Sequence, residues 1–254
     1  MSFFFFTRWI LNAVYVIYLL QIPPLIMNCF RGIKMKNKTR TSELTKRMTG
    51  VAIFSALAWG ISMVTNIKVG FLSFDAKDAI ITIASFIYGP LSAVAMSFVT
   101  AFLEFISFGS TGPYGALMDF VSTLSFTFTA SLIYKYRRKL SGALISLGTA
   151  SFVYVAVMMV ANLLITPLYM GVTVEAVKGL IPTMLLPFNI AKALMNSAIA
   201  MLIYKPISKL VRRIGFAKPS EHGGASSRKD TVVILSVAAV IFIAAVIIFV
   251  ILRK

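Results

Sequence analysis

The sequence predicts an all-α, polytopic membrane protein. The 254-residue chain is 59% hydrophobic and only 13% charged, whereas about a quarter of the residues in an average soluble domain are charged. Its apolar residues are gathered in runs close to the length that crosses a bilayer, and its mean hydropathy is +0.89. These observations exclude a soluble globular enzyme, a disordered chain and a coiled coil.

The beginning of the chain is apolar but interrupted. Arg8 and the Pro23-Pro24 pair break the run over residues 1–34. No small-residue cleavage site follows cleanly, which argues against a signal peptide. We therefore interpret 1–34 as either a hydrophobic N-terminal extension or an extra helix. The polar segment 35–46, which opens at Met35, is predicted to be a basic cytoplasmic segment.

Six helical segments form the predicted core over residues 47–213. They cover about 47–66, 76–88, 91–108, 115–135, 142–166 and 188–210. Turn-forming residues separate them at Gly70, at Gly89-Pro90 and in the run 109–113. The second segment looks too short to span a bilayer unaided, so it should be tilted or shielded by its neighbours. The fifth is expected to end before Pro167.

Two further segments lie beside this core. The less apolar stretch 171–183 could form a short amphipathic helix. A polar linker rich in Gly and Ser, 214–230, leads to the C-terminal segment 231–254. Its apolar run, 231–252, is long enough to be a transmembrane helix.

The charge pattern fixes an expected orientation. The formal net charge is +17, from 25 basic and 8 acidic residues. Eighteen of the basic residues lie in three clusters between apolar segments, at 31–47, 135–139 and 205–229. Such clusters are typical of cytoplasmic loops, so we predict no nucleic-acid partner. Both ends of the six-helix core are then cytoplasmic.

Motifs for catalysis and metal binding are missing from the sequence. Cys29 and His222 are the single cysteine and histidine, which is too few for a Cys- or His-rich metal site. No phosphate-binding Gly-Lys loop and no G-x-S-x-G turn occur. We predict no catalytic residue, no metal and no cofactor, which leaves binding or transport powered by a partner.

Polar residues inside apolar helices are costly and are therefore functional candidates. Asn189, Lys192 and Asn196 are three and four residues apart, so they project from one helix face. Such groups near the outer half of the core predict an outward-facing pocket for a small polar or aromatic solute. The alternative is a set of hydrogen bonds between helices. The candidate residues are Asp75, Asp78, Glu104, Asp119, Asn162, Asn189 and Lys192.

The first helix carries a small-xxx-small step at Ala52 and Ala56. Small residues allow another helix to approach closely. The step predicts either a docking surface for a partner or packing within the bundle itself.

Five stretches together resemble a known family. FLSFDAKD (71–78) with FIYGP (86–90) resembles the "LDxxD…GFxFGP" region of the substrate-binding S components of energy-coupling factor (ECF) transporters, and is closest to the riboflavin-specific type. STGPYGALMDF (110–120) resembles "TTGPxGELxNF". Asn162 with Pro167 and Tyr169 resembles "N…PxY", and LPFNIAK (186–192) resembles "LPFNxxK", the most specific of these motifs. The similarity covers roughly 44–213.

The resemblance implies a six-helix S component in a bacterial cell membrane. Such a subunit captures riboflavin outside the cell as a transported ligand. It delivers the vitamin by docking with one transmembrane scaffold (T) subunit and two ATPase subunits. Ala52 and Ala56 match the family's A-x-x-x-A docking motif.

The resemblance also implies roles for the candidate residues. Asn162, Asn189 and Lys192 match positions that hydrogen-bond the flavin. Asp75 and Asp78 match acids near the mouth, where ribityl hydroxyls could be held. In two places the chain departs from the family: Asp119 replaces the usual asparagine, and Ala116 replaces the usual glutamate.

Three alternatives remain from the sequence. The chain could be an S component for another vitamin, such as pantothenate, thiamine or a folate. It could be a membrane enzyme acting on lipid, with Asp75, Asp78 and Glu104 as acid–base or metal groups. It could be a self-sufficient secondary carrier, although no inverted repeat is visible.

Overall fold

The computed structural model describes residues 37–108, 112–138, 140–213, 236 and 238–248. The predicted extension 1–34 and the linker 214–230 lie outside the described residues. The chain divides into two units, Met1–Thr45 and Lys46–Lys254. Apart from residues 37–45 at the start of the first helix, all described helices and strands lie in the second unit.

Helices dominate the described chain, and the prediction of an all-α membrane protein is confirmed. The elements are α1 (Asn37–Thr65), β1 (Ile67–Val69), β2 (Leu72–Phe74), α2 (Lys77–Tyr88), α3 (Pro90–Phe108), α4 (Gly112–Tyr136), α5 (Leu140–Met170), α6 (Val174–Leu180), a π-helical turn (Ile181–Leu185), α7 (Leu186–Arg213) and α8 (Ala238–Ile248). Five stretches of the described residues are long and apolar enough to cross a membrane. They are Leu44–Thr65, Pro90–Ser107, Gly112–Tyr136, Ser141–Met170 and Val174–Tyr204.

Helix α2 is the short central helix of the bundle. Its twelve residues extend only about 18 Å at 1.5 Å per residue, which is less than the thickness of a bilayer core. Ten of the twelve are buried, because α3, α4 and α7 all pack against it. The expectation that its neighbours shield it is confirmed.

The connection between α1 and α2 is a β-hairpin, which the sequence analysis did not predict. β1 and β2 pair antiparallel, with Ile67 opposite Phe74. Gly70 forms the turn with φ +58°, a left-handed conformation that glycine adopts without steric cost. A side chain at this position would also meet Met184, whose Cε lies 2.6 Å from an ideal Cβ. The hairpin therefore packs on the π-helical turn.

The predicted end of the fifth helix was wrong. Helix α5 continues through Pro167 to Met170. A proline removes the backbone donor that would bond the carbonyl four residues earlier, yet α5 continues for three residues beyond Pro167. Gly171, with φ +65°, ends the helix and donates its N–H to the Pro167 carbonyl at 3.0 Å.

The predicted amphipathic helix and the sixth helix form one helical run. Thr173 caps α6, because its hydroxyl accepts the Ala176 N–H at 3.3 Å. The π-helical turn then joins α6 directly to α7, which begins at Leu186 rather than at 188. The helix predicted over 171–183 therefore begins later, at Val174, and it continues into α7 instead of ending at 183.

Apolar contacts place α1 and α8 against the core. Phe54 and Ala58 of α1 lie in one buried cluster with residues of α2 and α3. Gly50 lets α1 approach α2 closely, since a Cβ there would collide with the Tyr88 hydroxyl. In α8, the buried small residues Ala238 and Ala245 face the core. The described part of the C-terminal helix is therefore packed on the bundle.

Candidate functional site

A buried ammonium group joins three helices near the hairpin end of the bundle. Lys77, at the start of α2, is fully buried. Its Nζ lies 2.6 Å from Oε2 of Glu104 and 2.5 Å from Oδ1 of Asp119. The tight turn at Gly89 folds α3 back along α2, and α4 returns beside α3, so residues far apart in sequence meet at one depth. Asp75 Oδ2 lies farther from Lys77 Nζ, at 3.8 Å.

A second ammonium group connects α7 to the segment that follows β2. Lys192 Nζ donates to Oδ2 of Asp75 at 3.0 Å and lies 3.4 Å from the Ser73 carbonyl oxygen. One turn further along α7, Asn196 Nδ2 donates to the Asp75 carbonyl at 3.2 Å, and its Oδ1 accepts the Ala79 N–H at 3.2 Å. Asp75 is therefore held through both its side chain and its backbone.

Two buried amides lie on facing parts of α5 and α7. Asn189 Oδ1 accepts the Tyr154 hydroxyl at 2.9 Å, and its Nδ2 donates to the Leu185 carbonyl at 2.7 Å. Asn162 Nδ2 donates to the Met158 carbonyl at 2.7 Å, and its Oδ1 accepts Thr166 Oγ1 at 3.0 Å. An amide has two N–H donors and two acceptor lone pairs. These bonds fix the orientation of each amide and use half of its hydrogen-bonding groups.

Three residues of this network are not among the seven sequence-predicted candidates: Lys77, Thr123 and Tyr154. Thr123 donates to Asp78 Oδ1 at 2.8 Å, and Tyr154, which is 1% exposed, orients Asn189. Both are common residues in membrane helices and belong to none of the recognised motifs. A signal was nevertheless present for Thr123, because it lies one helical turn after Asp119 on α4.

Several carboxylate oxygens keep acceptor capacity. Asp75 Oδ1, Glu104 Oε1 and Asp119 Oδ2 are buried and accept no hydrogen bond from the described residues. Four carboxyl groups here face two ammonium groups, which cannot satisfy every oxygen. A buried acceptor without a donor costs about 1–3 kcal/mol, so these oxygens suit a ligand that brings hydroxyl or N–H donors.

The structure brings the sequence-predicted residues together in two ways. Lys77 with Glu104 and Asp119 ties α2, α3 and α4, as the interhelical alternative expects. Lys192 and Asn189 lie on one face of α7, and each contacts a different element, the Asp75 segment and α5. The same network therefore contains both hydrogen bonds between helices and polar groups that are still able to bind a ligand.

Comparison with known proteins decides the family. A family model described as the substrate-specific component of ECF transporters matches residues 46–204. The chain belongs to this family. The resemblance identified from the motifs is thereby confirmed, and the membrane-enzyme alternative loses its support, because the family is a transporter component.

Curated relatives and a solved structure agree with this assignment. The chain is 26% identical over 181 residues to "Riboflavin transporter RibU" of Staphylococcus aureus, covering 68% of this chain and 95% of that one. It is 25% identical over 171 residues to "Riboflavin transporter FmnP" of Bacillus subtilis, covering 63% and 90%. A structure reported as the S component of a bacterial ECF transporter matches with a TM-score of 0.57 at 26% identity, covering 67% of this chain and 99% of that one.

Proposed function

We propose that this chain is the riboflavin-binding S component of an ATP-driven ECF importer. The observation that carries the proposal is the placement of Asn189 and Lys192, the two polar residues of the LPFNxxK motif. Both are buried, and both hold firm partners while keeping donors for a ligand. The two curated relatives, each called a riboflavin transporter, support the choice of vitamin.

The flavin ring and this network are chemically complementary. The pyrimidine edge of an isoalloxazine presents carbonyl acceptors and one N–H donor. Asn189 and Asn162 can each offer one further N–H and one further lone pair, and the Lys192 ammonium group offers donors. The ring faces need apolar or aromatic walls. Phe126 and Tyr154 can supply them; their rings pack edge to face with centroids 6.1 Å apart.

The ribityl chain calls for a different set of partners. Its hydroxyls donate hydrogen bonds, and the free oxygens of Asp75, Glu104 and Asp119 are acceptors. Asp78 belongs to the same network through Thr123. We propose that these carboxylates hold the hydroxyls, which would also relieve the cost of the unpaired buried oxygens.

Titration of the purified chain with riboflavin tests the proposal. We expect flavin fluorescence to be quenched on binding, and protein purified with its ligand to be yellow. Asn189→Ala should weaken binding by about 1–3 kcal/mol, because a buried ligand group loses its partner. Thr149→Ala, at an exposed threonine of α5, is the control and should bind normally.

A competition panel separates the remaining candidates. Pantothenate, thiamine and folate are added against bound riboflavin. Displacement by one of them at lower concentration than riboflavin would assign the chain to that vitamin instead. Binding of none of the four would contradict the proposed function.

The exposed face of α1 supports docking to the T subunit and its two ATPases. Ala52 and Ala56 are exposed, whereas Phe54 and Ala58 are buried in the bundle. The small-residue step therefore takes no part in packing within the described core. This favours the docking interpretation over the packing interpretation.

Replacing both alanines by leucine should abolish uptake but leave vitamin binding intact. Bulkier side chains would prevent the close helix approach on which docking depends. The measurements are riboflavin uptake in cells that make the whole transporter, and riboflavin titration of the purified variant. Ala156→Leu, at an exposed alanine of α5, is the matched control. Equal uptake by the two variants would contradict docking at this face.

The proposed orientation follows from the ends of the bundle. Arg47, Lys135 and Arg138 lie around one shared pocket, and basic residues favour the cytoplasmic side. The hairpin then lies outside, near the charged network. Both ends of the six-helix core are cytoplasmic in this arrangement, and the ligand enters from outside.

A further inference from the structure

A cavity lies away from the charged network. It measures about 330 Å³ and opens between α1, the α2–α3 turn and the end of α4. Three basic side chains line it, from Arg47, Lys135 and Arg138. None of the described residues that line it is acidic. We call this cavity the basic pocket.

Arg47 is held in place at the wall of the pocket. Its Nε and Nη2 donate to the Ser92 hydroxyl at 3.2 and 3.1 Å, and that hydroxyl donates to the Tyr88 carbonyl at 3.2 Å. A guanidinium group has five N–H donors in a rigid fork. The bonds to Ser92 orient the fork and leave further donors for an anion.

The backbone adds to the positive potential of the pocket. Helix α3 starts at Pro90, and its first residues line the cavity. The beginning of a 19-residue helix carries a partial positive charge. Gly89, with φ +93°, makes the turn that exposes this helix end.

We propose that the basic pocket binds a phosphate group. Arginine forks, a lysine and a helix start are the groups that bind phosphate oxygens in proteins. The phosphate can come from an anionic lipid headgroup or from a soluble phosphate compound. The lipid source is favoured by Phe128 and Leu132, partly exposed apolar residues on the α4 turns that lead to Lys135, where acyl chains can lie.

Native mass spectrometry of the purified full chain tests the lipid arm. Phosphatidylglycerol and phosphatidylcholine with identical acyl chains are added separately. Phosphatidylglycerol should bind preferentially. Arg47→Gln with Arg138→Gln should lower that affinity about thirtyfold, at about 1 kcal/mol per basic residue. The control is Arg137→Gln, because Arg137 is exposed in the same loop but does not line the pocket.

Calorimetric titration with inorganic phosphate, in lipid-free micelles, tests the soluble arm. A heat of phosphate binding that disappears in the double variant but remains in Arg137→Gln would support a soluble phosphate as the source. Thermal unfolding midpoints of all variants in phosphatidylcholine show whether they fold. Equal binding of the two lipids without a phosphate response would overturn the proposal. An equal loss of phosphatidylglycerol affinity in the Arg137→Gln control would also overturn the proposal, since the loop would then attract anions only through its general positive charge.

Discussion

Replacing Lys77 by methionine should lower the free energy of unfolding by about 3–5 kcal/mol. Lys77 is buried between Glu104 and Asp119, and its removal leaves both carboxylates without their ammonium partner. Breaking a buried ion pair from one side costs this much, because a desolvated charge remains uncompensated. The loss can be followed by unfolding the purified chain in mixed detergent micelles.

An exposed ion pair of the same chemistry provides the control. Lys178 lies 2.7 Å from Glu175 on the surface of α6, where such pairs contribute at most about 1 kcal/mol. Lys178→Met should therefore leave stability nearly unchanged. Adding Glu104→Gln and Asp119→Asn to Lys77→Met removes the stranded charges and should restore part of the loss. If Lys77→Met were as stable as Lys178→Met, these ion pairs would not hold the helices together.

Replacing Lys192 by methionine should weaken riboflavin binding by about 1–3 kcal/mol, or roughly 5- to 140-fold. The proposed function gives its ammonium group a ligand carbonyl in addition to Asp75, and methionine can supply no donor to either. Riboflavin titration of the purified variant measures the effect. Lys178→Met again serves as the control and should bind like the unchanged chain.

A second substitution separates binding from folding. Lys192→Met leaves Asp75 with the more distant Lys77, 3.8 Å away, so some stability should also be lost. Adding Asp75→Asn removes that buried charge and should recover stability. Because the ligand donor stays absent, binding should remain weak. Recovery of full riboflavin affinity in the double variant would show that Lys192 acts only by neutralising Asp75.

The sequence predicted the helices well because hydrophobic runs and the turn-forming residues between them are local signals. The Gly89-Pro90 turn and the short α2 were both predicted. Because α2 is too short to span a bilayer, it was expected to be shielded by its neighbours, and it is buried among them. Pro167 misled the prediction, because a proline weakens a helix without always ending it, and α5 continues past this one. The hairpin was missed because two three-residue strands carry almost no periodic pattern.

The candidate site shows where sequence reasoning reaches its limit. Burial cost singled out the charged residues as functional candidates, and Asp75, Asp78 and Glu104 are buried in the structure. Their pairing could not be predicted, because Lys77 could equally have paired with Asp75 or Asp78, its neighbours in sequence. Instead the return of α3 and α4 brings Glu104 and Asp119 to it. Pairings of this kind depend on tertiary geometry.

The hairpin has a consequence for dynamics. Two strands of three residues are not stable on their own in water, so the hairpin depends on its attachment to the bundle. That attachment includes β2, where Lys192 approaches the Ser73 carbonyl and Phe74 is buried beside Phe188, and the Gly70 turn, which packs on Met184. We expect deuterium uptake by the hairpin amides to follow the opening of these contacts with α7 and the π-helical turn rather than fraying of the strand ends.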